Sequence, residues 1–226
     1  MDKIDHRRHY ILMVDTETAN GLDDPLVYDF GCAVVDTHGN VYEARSFVNK
    51  QIFNYERDLM NTAYYAEKIP MYLDDLEAGL RERASLYEIR QEVLDLIQRY
   101  NISEVCAHNA RFDYNALNTT QRWLTKSKYR FFLPYGIKIW DTMKMAEDVI
   151  VPTPTYQRFC EENGYLTATG RYKKTAEILY RFISGDNEFN ELHTGLDDVL
   201  IEKEILRYCY AKHKKMRRGA WEKKQG

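Results

Sequence analysis

The chain has 226 residues, of which 44% are hydrophobic and 30% charged, with 11 Gly, 5 Pro and a formal net charge of −3. This is the balance of a soluble globular protein, with the length of one large domain or two very small ones, and it excludes collagen-like and linker-rich chains. No apolar run nears the ~18 residues of a membrane span, and the opening MDKIDHRRHY has no signal-peptide core, so a cytoplasmic protein with no membrane partner is expected.

Residues 9–14 (HYILMV) form a short apolar run, the pattern of a strand buried on both faces. A second strand over 26–35 and a third over 41–48 flank the turn Asp36–Asn40 and predict a hairpin. Residues 54–80 read as two short helices broken near Ile69-Pro70. Ser85 and Glu88 have capping-box spacing and open a helix over 85–100. Its apolar face is Leu86, Ile89, Val93, Leu96, Ile97 and Tyr100. A strand over 104–107, a helix over 112–124 and a strand over 137–140 follow. Asp141 is placed to cap the next helix. Further helices are expected at 156–162, 175–184 and 196–212. A hairpin followed by alternating strands and helices predicts an α/β domain with a mixed sheet.

The four cysteines, Cys32, Cys106, Cys160 and Cys209, lie at least 49 residues apart, outside zinc or redox-motif spacing. Free thiols in a reducing compartment are expected. Residues 211–226 hold 7 of the 32 Lys/Arg and 1 of the 35 Asp/Glu. This basic tail reads as a nucleic-acid contact or as a solvated terminus.

Three carboxylate sites share a peculiarity. Asp15 and Glu17 are two apart at the end of the first strand and project from one face of an otherwise apolar segment. A turn with capping acids is the plainer account. Asp113 lines up with Ala116, Leu117, Thr120 and Leu124 on a buried helical stripe, although a first-turn acid also suits the helix dipole. Asp198 heads a similar stripe with Ile201, Ile205 and Cys209, while Asp197 turns toward water. His193 precedes it in a loop, where an isolated histidine is ordinarily a surface group. Four acids converging from three elements would repel one another and favour protonation. A pair of divalent cations resolves the conflict, and an all-oxygen ligand set favours Mg²⁺ or Mn²⁺ over zinc.

Together these residues resemble the DEDDh 3′–5′ exonucleases of the ribonuclease-H-like superfamily, which include polymerase proofreading subunits and ribonuclease T. Val14-Asp15-Thr16-Glu17-Thr18 matches the first signature, and His108-Asn109-Ala110-Arg111-Phe112-Asp113 the second. His193 with Asp198 matches the third, His followed by four residues and then Asp. Tyr28-Asp29-Phe30-Gly31 stands where relatives often carry Glu-Ile-Gly, and Asp141-Thr142 resembles the pair that opens a structural helix. Residues 167–190 match no element of the family.

The resemblance covers about residues 9–210. It implies a ribonuclease-H-like fold: a mixed five-stranded sheet, with a three-stranded antiparallel edge plus parallel strands, flanked by helices. The organisation expected is an N-terminal extension (1–8), an exonuclease domain (9–211) and a basic tail (212–226). The implied activity is hydrolysis at the 3′ end of nucleic acid, single-stranded DNA foremost, releasing 5′-mononucleotides with two Mg²⁺ or Mn²⁺ ions. In that scheme Asp15 bridges the metals, Glu17 and Asp198 hold the nucleophile-side ion, Asp113 holds the second, and His193 is the general base. Thr18, Asn20, Asn109 and Phe112 are the expected substrate contacts, Phe112 also reading as a core aromatic. DNA replication or repair is the implied setting, and the resemblance admits a polymerase partner and a homodimer. The alternatives are an exoribonuclease trimming RNA ends and a non-catalytic nucleic-acid-binding module on the same fold.

Overall fold

The computed structural model describes residues 4–63, 65–128 and 130–224. Among them, six strands form one sheet in the order β4-β3-β2-β1-β5-β6. The strands are β1 Ile11–Ala19, β2 Leu26–Val35, β3 Val41–Asn49, β4 Glu82–Ala84, β5 Glu104–Ala107 and β6 Lys138–Asp141. β1, β2 and β3 pair antiparallel, while β5 runs parallel to β1 and β6 parallel to β5. The sheet therefore has one strand more than the five expected. The addition is β4, which pairs parallel with Phe47–Asn49 and covers what would have been the antiparallel edge. Its three residues, Glu-Arg-Ala, are too few and too polar to show an alternating pattern.

The helices are α1 Lys50–Phe53, α2 Arg57–Met60, α3 Ile69–Glu77, α4 Leu86–Arg99, α5 Arg111–Thr125, α6 Thr142–Val149, α7 Pro154–Glu162, α8 Ala176–Ser184 and α9 Gly195–Ala211. Their starts follow the local sequence. The Ser85–Glu88 capping box opens α4, and Asp141, Thr153 and Thr175 cap α6, α7 and α8. Pro70 does not break a helix. It lies in the first turn of α3, where its missing N–H costs nothing.

The period of β1 sorts the core into two layers. Leu12 and Val14 pack with the residues of α4 and α5, including Ile89, Val93, Leu96, Ala116 and Leu117. Ile11 and Met13 pack on the opposite side, with Met145 and Ala146 of α6 and Val199, Ile205 and Leu206 of α9. A third cluster at the far end of the sheet joins Ala19, Leu26 and Tyr28 to Ile52, Phe53 and Tyr72. The four cysteines are free and buried. Among the described residues, no helix is long and apolar enough to cross a membrane.

Part of the basic tail is seated on the sheet. The N–H of Asp141 donates to the Arg218 carbonyl (2.8 Å) and that of Ala220 to Ile139 (2.9 Å), so the segment lies along the outer edge of β6. Arg217 pairs with Glu147 and Asp148, and Ala220 is wholly buried. A terminus solvated throughout is thus not what forms.

Candidate active site

The site is built where the N-terminus of α9 meets the middle of the sheet. Asp15 lies opposite Gly31 in the β1–β2 register. Gly195, the first residue of α9, rests on Gly31: a Cβ on Gly31 would come within 2.1 Å of the Gly195 carbonyl carbon. A Cβ on Gly195 would lie 2.5 Å from the Gly31 nitrogen and 3.1 Å from the Asp15 carbonyl oxygen. Only glycine on both sides allows this approach. Asp29, fully buried, fastens it, accepting from the Gly195 N–H (2.9 Å) and the Tyr72 hydroxyl (2.7 Å) beside Arg81 (3.3 Å). The Asp in Tyr28-Asp29-Phe30-Gly31 is therefore an anchor for α9.

Alternation along β1 aims the acids. Asp15 and Glu17 continue the Ile11–Met13 face, toward α9. Thr16 takes the other face and donates its hydroxyl to Asp113 Oδ1 (2.9 Å), which places the α5 acid beside the middle of β1. From α9 come Asp198, buried, and Asp197, which is more exposed and accepts from the Thr194 hydroxyl. Potential ligand atoms of Glu17, His193 and Asp198 all lie within 4.8 Å of one another. Asp15 and Asp113 adjoin this triad rather than belong to it.

Two further acids escaped the sequence reading. Glu202 is buried one turn after Asp198 and accepts from the His108 N–H (3.1 Å). An offset of four is as much a same-face spacing as three or seven, so the signal was present. Glu191 Oε2 lies 3.6 Å from His193 Nδ1, and its loop position carries no periodic signal.

Burial, reinforced by neighbouring acids, pushes these carboxyls upward. Glu17 rises to about 9 and Asp198 to about 8. Asp15 and Glu202 are raised well above the ordinary range, first by burial and then by like charges that include Asp113 and Asp198. Burial also lifts Glu191, to about 7. His193 stacks on Tyr65 (4.5 Å, 13°) and is lowered by burial and then by Lys68.

This crowding suits hard cations. Asp198 Oδ1 is buried with no hydrogen-bond partner, an acceptor that a cation would satisfy. Unfolded, the carboxyls ionise near pH ~4; folded, Glu17 and Asp198 hold protons to about 9 and about 8. Between those values the folded state binds more protons, so stability falls as pH rises. In EDTA, Tm should fall from about pH 5 to pH 9, and Mn²⁺ should restore most at the alkaline end. A flat or rising Tm in EDTA, the same in Glu17→Gln as in the parent, would contradict the proton uptake.

The expected substrate contacts are placed less uniformly. Asn109, at φ +62°, donates its N–H to the Asp141 carboxylate and lines a cavity that also reaches Asp15, Asp198 and Glu202. Thr18 is half-buried just past the β1 irregularity, and Phe112 is half-buried in the first turn of α5. Asn20, exposed, bonds its side-chain amide to the Asp24 carbonyl within its own turn. Thr18, Asn20 and Phe112 do not line that cavity, and neither do Glu17 and His193.

Against solved structures, exonuclease I from Methylocaldum szegediense matches 88% of this chain with a TM-score of 0.52 and 16% identity. The fold is that of the matched part of exonuclease I, which is ribonuclease-H-like. The match covers 40% of that protein, so this chain spans about two-fifths of its length. Two others align at a TM-score of 0.49 and 12% identity. E. coli exonuclease I, in a zinc-bound complex with single-stranded DNA, aligns over 91% of this chain and 41% of its own. Pop2p of S. pombe, in a Mg²⁺- and Mn²⁺-bound form, aligns over 92% and 84%. No family model matches the chain, and neither does any curated protein.

Proposed function

We propose that the chain is a metal-dependent 3′–5′ exonuclease that hydrolyses the terminal phosphodiester of single-stranded DNA and releases 5′-mononucleotides. The observation that carries this is the unpartnered Asp198 Oδ1, buried beside Glu17 in a cluster whose like charges need neutralising. The fold, shared with exonuclease I, supports the same reading.

Asp15, Glu17, Asp113 and Asp198 would hold two Mg²⁺ or Mn²⁺ ions. Such ions, when bound, supply charge to the phosphoryl oxygens and acidify a water. The protein's own part is to converge the carboxylates and to place a base. His193 Nδ1 lies 3.6 Å from Glu191 Oε2, and the neutral imidazole has one ring nitrogen able to accept a proton from the attacking water. Its stack on Tyr65 fixes the ring, and its lowered pKa keeps it neutral at pH 7.

The test is an incubation of end-labelled single-stranded DNA, duplex DNA and RNA with Mg²⁺, Mn²⁺ or EDTA. Stepwise shortening of single-stranded DNA with either metal, and none in EDTA, is expected. Intact substrates throughout would favour the binding-module reading, and faster loss of RNA an exoribonuclease. His193→Ala should slow hydrolysis by roughly 10²–10⁴-fold while calorimetry shows Mn²⁺ still bound. If Mn²⁺ affinity collapses instead, His193 is a ligand, a role its place in the triad also permits.

A further inference from the structure

We propose that the hairpin over residues 165–173 is a phosphate-gripping wall, in which Arg171 and Lys173 hold the single strand on the 5′ side of the scissile bond. The inference rests on the exonuclease reading and names the part of the substrate that the acidic centre does not touch. Most of the hairpin falls within residues 167–190, the stretch that matched no family element.

The hairpin is well defined. Leu166 and Tyr172 form an antiparallel bridge. The Thr167 N–H donates to the Arg171 carbonyl (2.8 Å), that of Gly170 to Thr167 (2.9 Å) and that of Lys173 to Tyr165 (3.0 Å). Gly170 takes the left-handed conformation the tight turn requires (φ +74°). Its base is tied to the site by His108. Burial lowers this imidazole to about 4, so it is neutral. Nε2–H donates to the Lys174 carbonyl (2.8 Å), and Nδ1 accepts from the Thr142 hydroxyl (2.9 Å). The backbone N–H of the same residue donates to Glu202. One residue therefore links the hairpin to the acidic centre. The Tyr156 hydroxyl, donating to the Lys173 carbonyl (2.6 Å), and an ion pair between Lys174 and Glu147 complete the anchorage.

One continuous cavity of about 1250 Å³ runs between the two, lined by Asp15, Asp198 and Glu202 at one side and by Arg171 and Lys173 at the other. That exceeds the ~300–1,000 Å³ of a small-molecule pocket, so more than a terminal nucleotide has room. Arg171 and Lys173 are exposed and make no ion pair among the described residues, whereas Lys174 and Arg217 close by are paired. A pair of uncommitted cations on an anchored hairpin, facing a cavity with an acidic floor, suits a polyanion whose 3′ end the acidic centre would hold. Guanidinium and ammonium groups then meet its next phosphates.

The test uses the full chain with Arg171→Ala and Lys173→Ala combined, and a charge-keeping control, Arg171→Lys with Lys173→Arg. Binding of a labelled single-stranded 12-mer is followed by anisotropy against salt in EDTA, together with cleavage of the 12-mer and of a dinucleotide. Each lost phosphate contact should flatten the log Kd–log[salt] slope by about 0.7, hence by roughly 1.4 for the pair. kcat/KM on the 12-mer should fall about tenfold or more, with the dinucleotide, used as the 5′-hydroxyl dinucleoside monophosphate that has no upstream phosphate, within twofold of the parent. The control should keep the parent slope. An unchanged slope overturns the proposal, and so does an equal loss on the dinucleotide, which would mean the hairpin acts through the acidic site. Should the parent cleave neither substrate, the exonuclease reading fails, and the salt slope alone still decides whether the hairpin grips phosphates.

Discussion

Asp15→Asn should abolish metal-dependent nucleotide release while raising the Tm of the metal-free protein. The side chain projects from the middle of the central strand, opposite Gly31, with Asp113, Glu202, Asp198 and Glu17 all pushing its carboxyl upward after burial itself. Asparagine keeps the shape and removes the charge. Without ions, the folded protein no longer has to protonate a buried carboxyl that would ionise freely in the unfolded chain, so thermal melting in EDTA above about pH 5 should move up. With ions, it removes a proposed ligand that adjoins the Glu17–His193–Asp198 triad. Metal assistance amounts to several kcal/mol of transition-state stabilisation, so a loss of ~10³-fold or more in kcat/KM on end-labelled single-stranded DNA is expected. The opposite signs are what discriminate. An ordinary structural acid, replaced by Asn, would lower Tm through lost hydrogen bonds and leave turnover largely intact. Either result would remove Asp15 from the catalytic centre.

The parts legible beforehand were those that periodicity encodes. The alternation of β1 ends in Asp15 and Glu17 on the α9 face, and the helical stripe through Ile201, Ile205 and Cys209 picked Asp198 over Asp197, as burial bears out. Caps at Ser85 and Asp141 were equally readable, because a cap is decided within four residues. What stayed hidden depends on distant partners. β4 exists only because Phe47–Asn49 offers it an edge. Glu202 finds its donor at His108, 94 residues away in sequence. The hairpin over 165–173 had no periodic signal, and its role is visible only once His108 bridges it to the acids. The basic tail gave charge but no pattern, and the β6 edge that receives it is formed some 80 residues earlier.

Gly31→Ala should cost both stability and activity, because it strikes the contact on which the site is assembled. The new methyl would sit 2.1 Å from the Gly195 carbonyl carbon and from the Leu196 nitrogen. Both are backbone atoms in the first turn of α9, so no side chain can swing aside. Relief requires α9 to lift from β2, stretching the Gly195–Asp29 hydrogen bond and carrying His193, Asp198 and Glu202 with it. Overpacking of this kind costs ~1–3 kcal/mol, and a backbone clash belongs at the top of that range, ~3 kcal/mol by urea denaturation. A displacement of about 1 Å at a reacting centre costs on the order of 10²-fold in rate. Gly164→Ala separates this from generic glycine effects. Its φ is +70° and nothing lies within 4 Å of the added carbon, so it should lose ~1–2 kcal/mol for its conformation and keep full turnover. If Gly31→Ala instead melts and cleaves like the parent, α9 does not rest on β2 as described, and the convergence of Asp198 with Asp15 and Glu17 loses its structural basis.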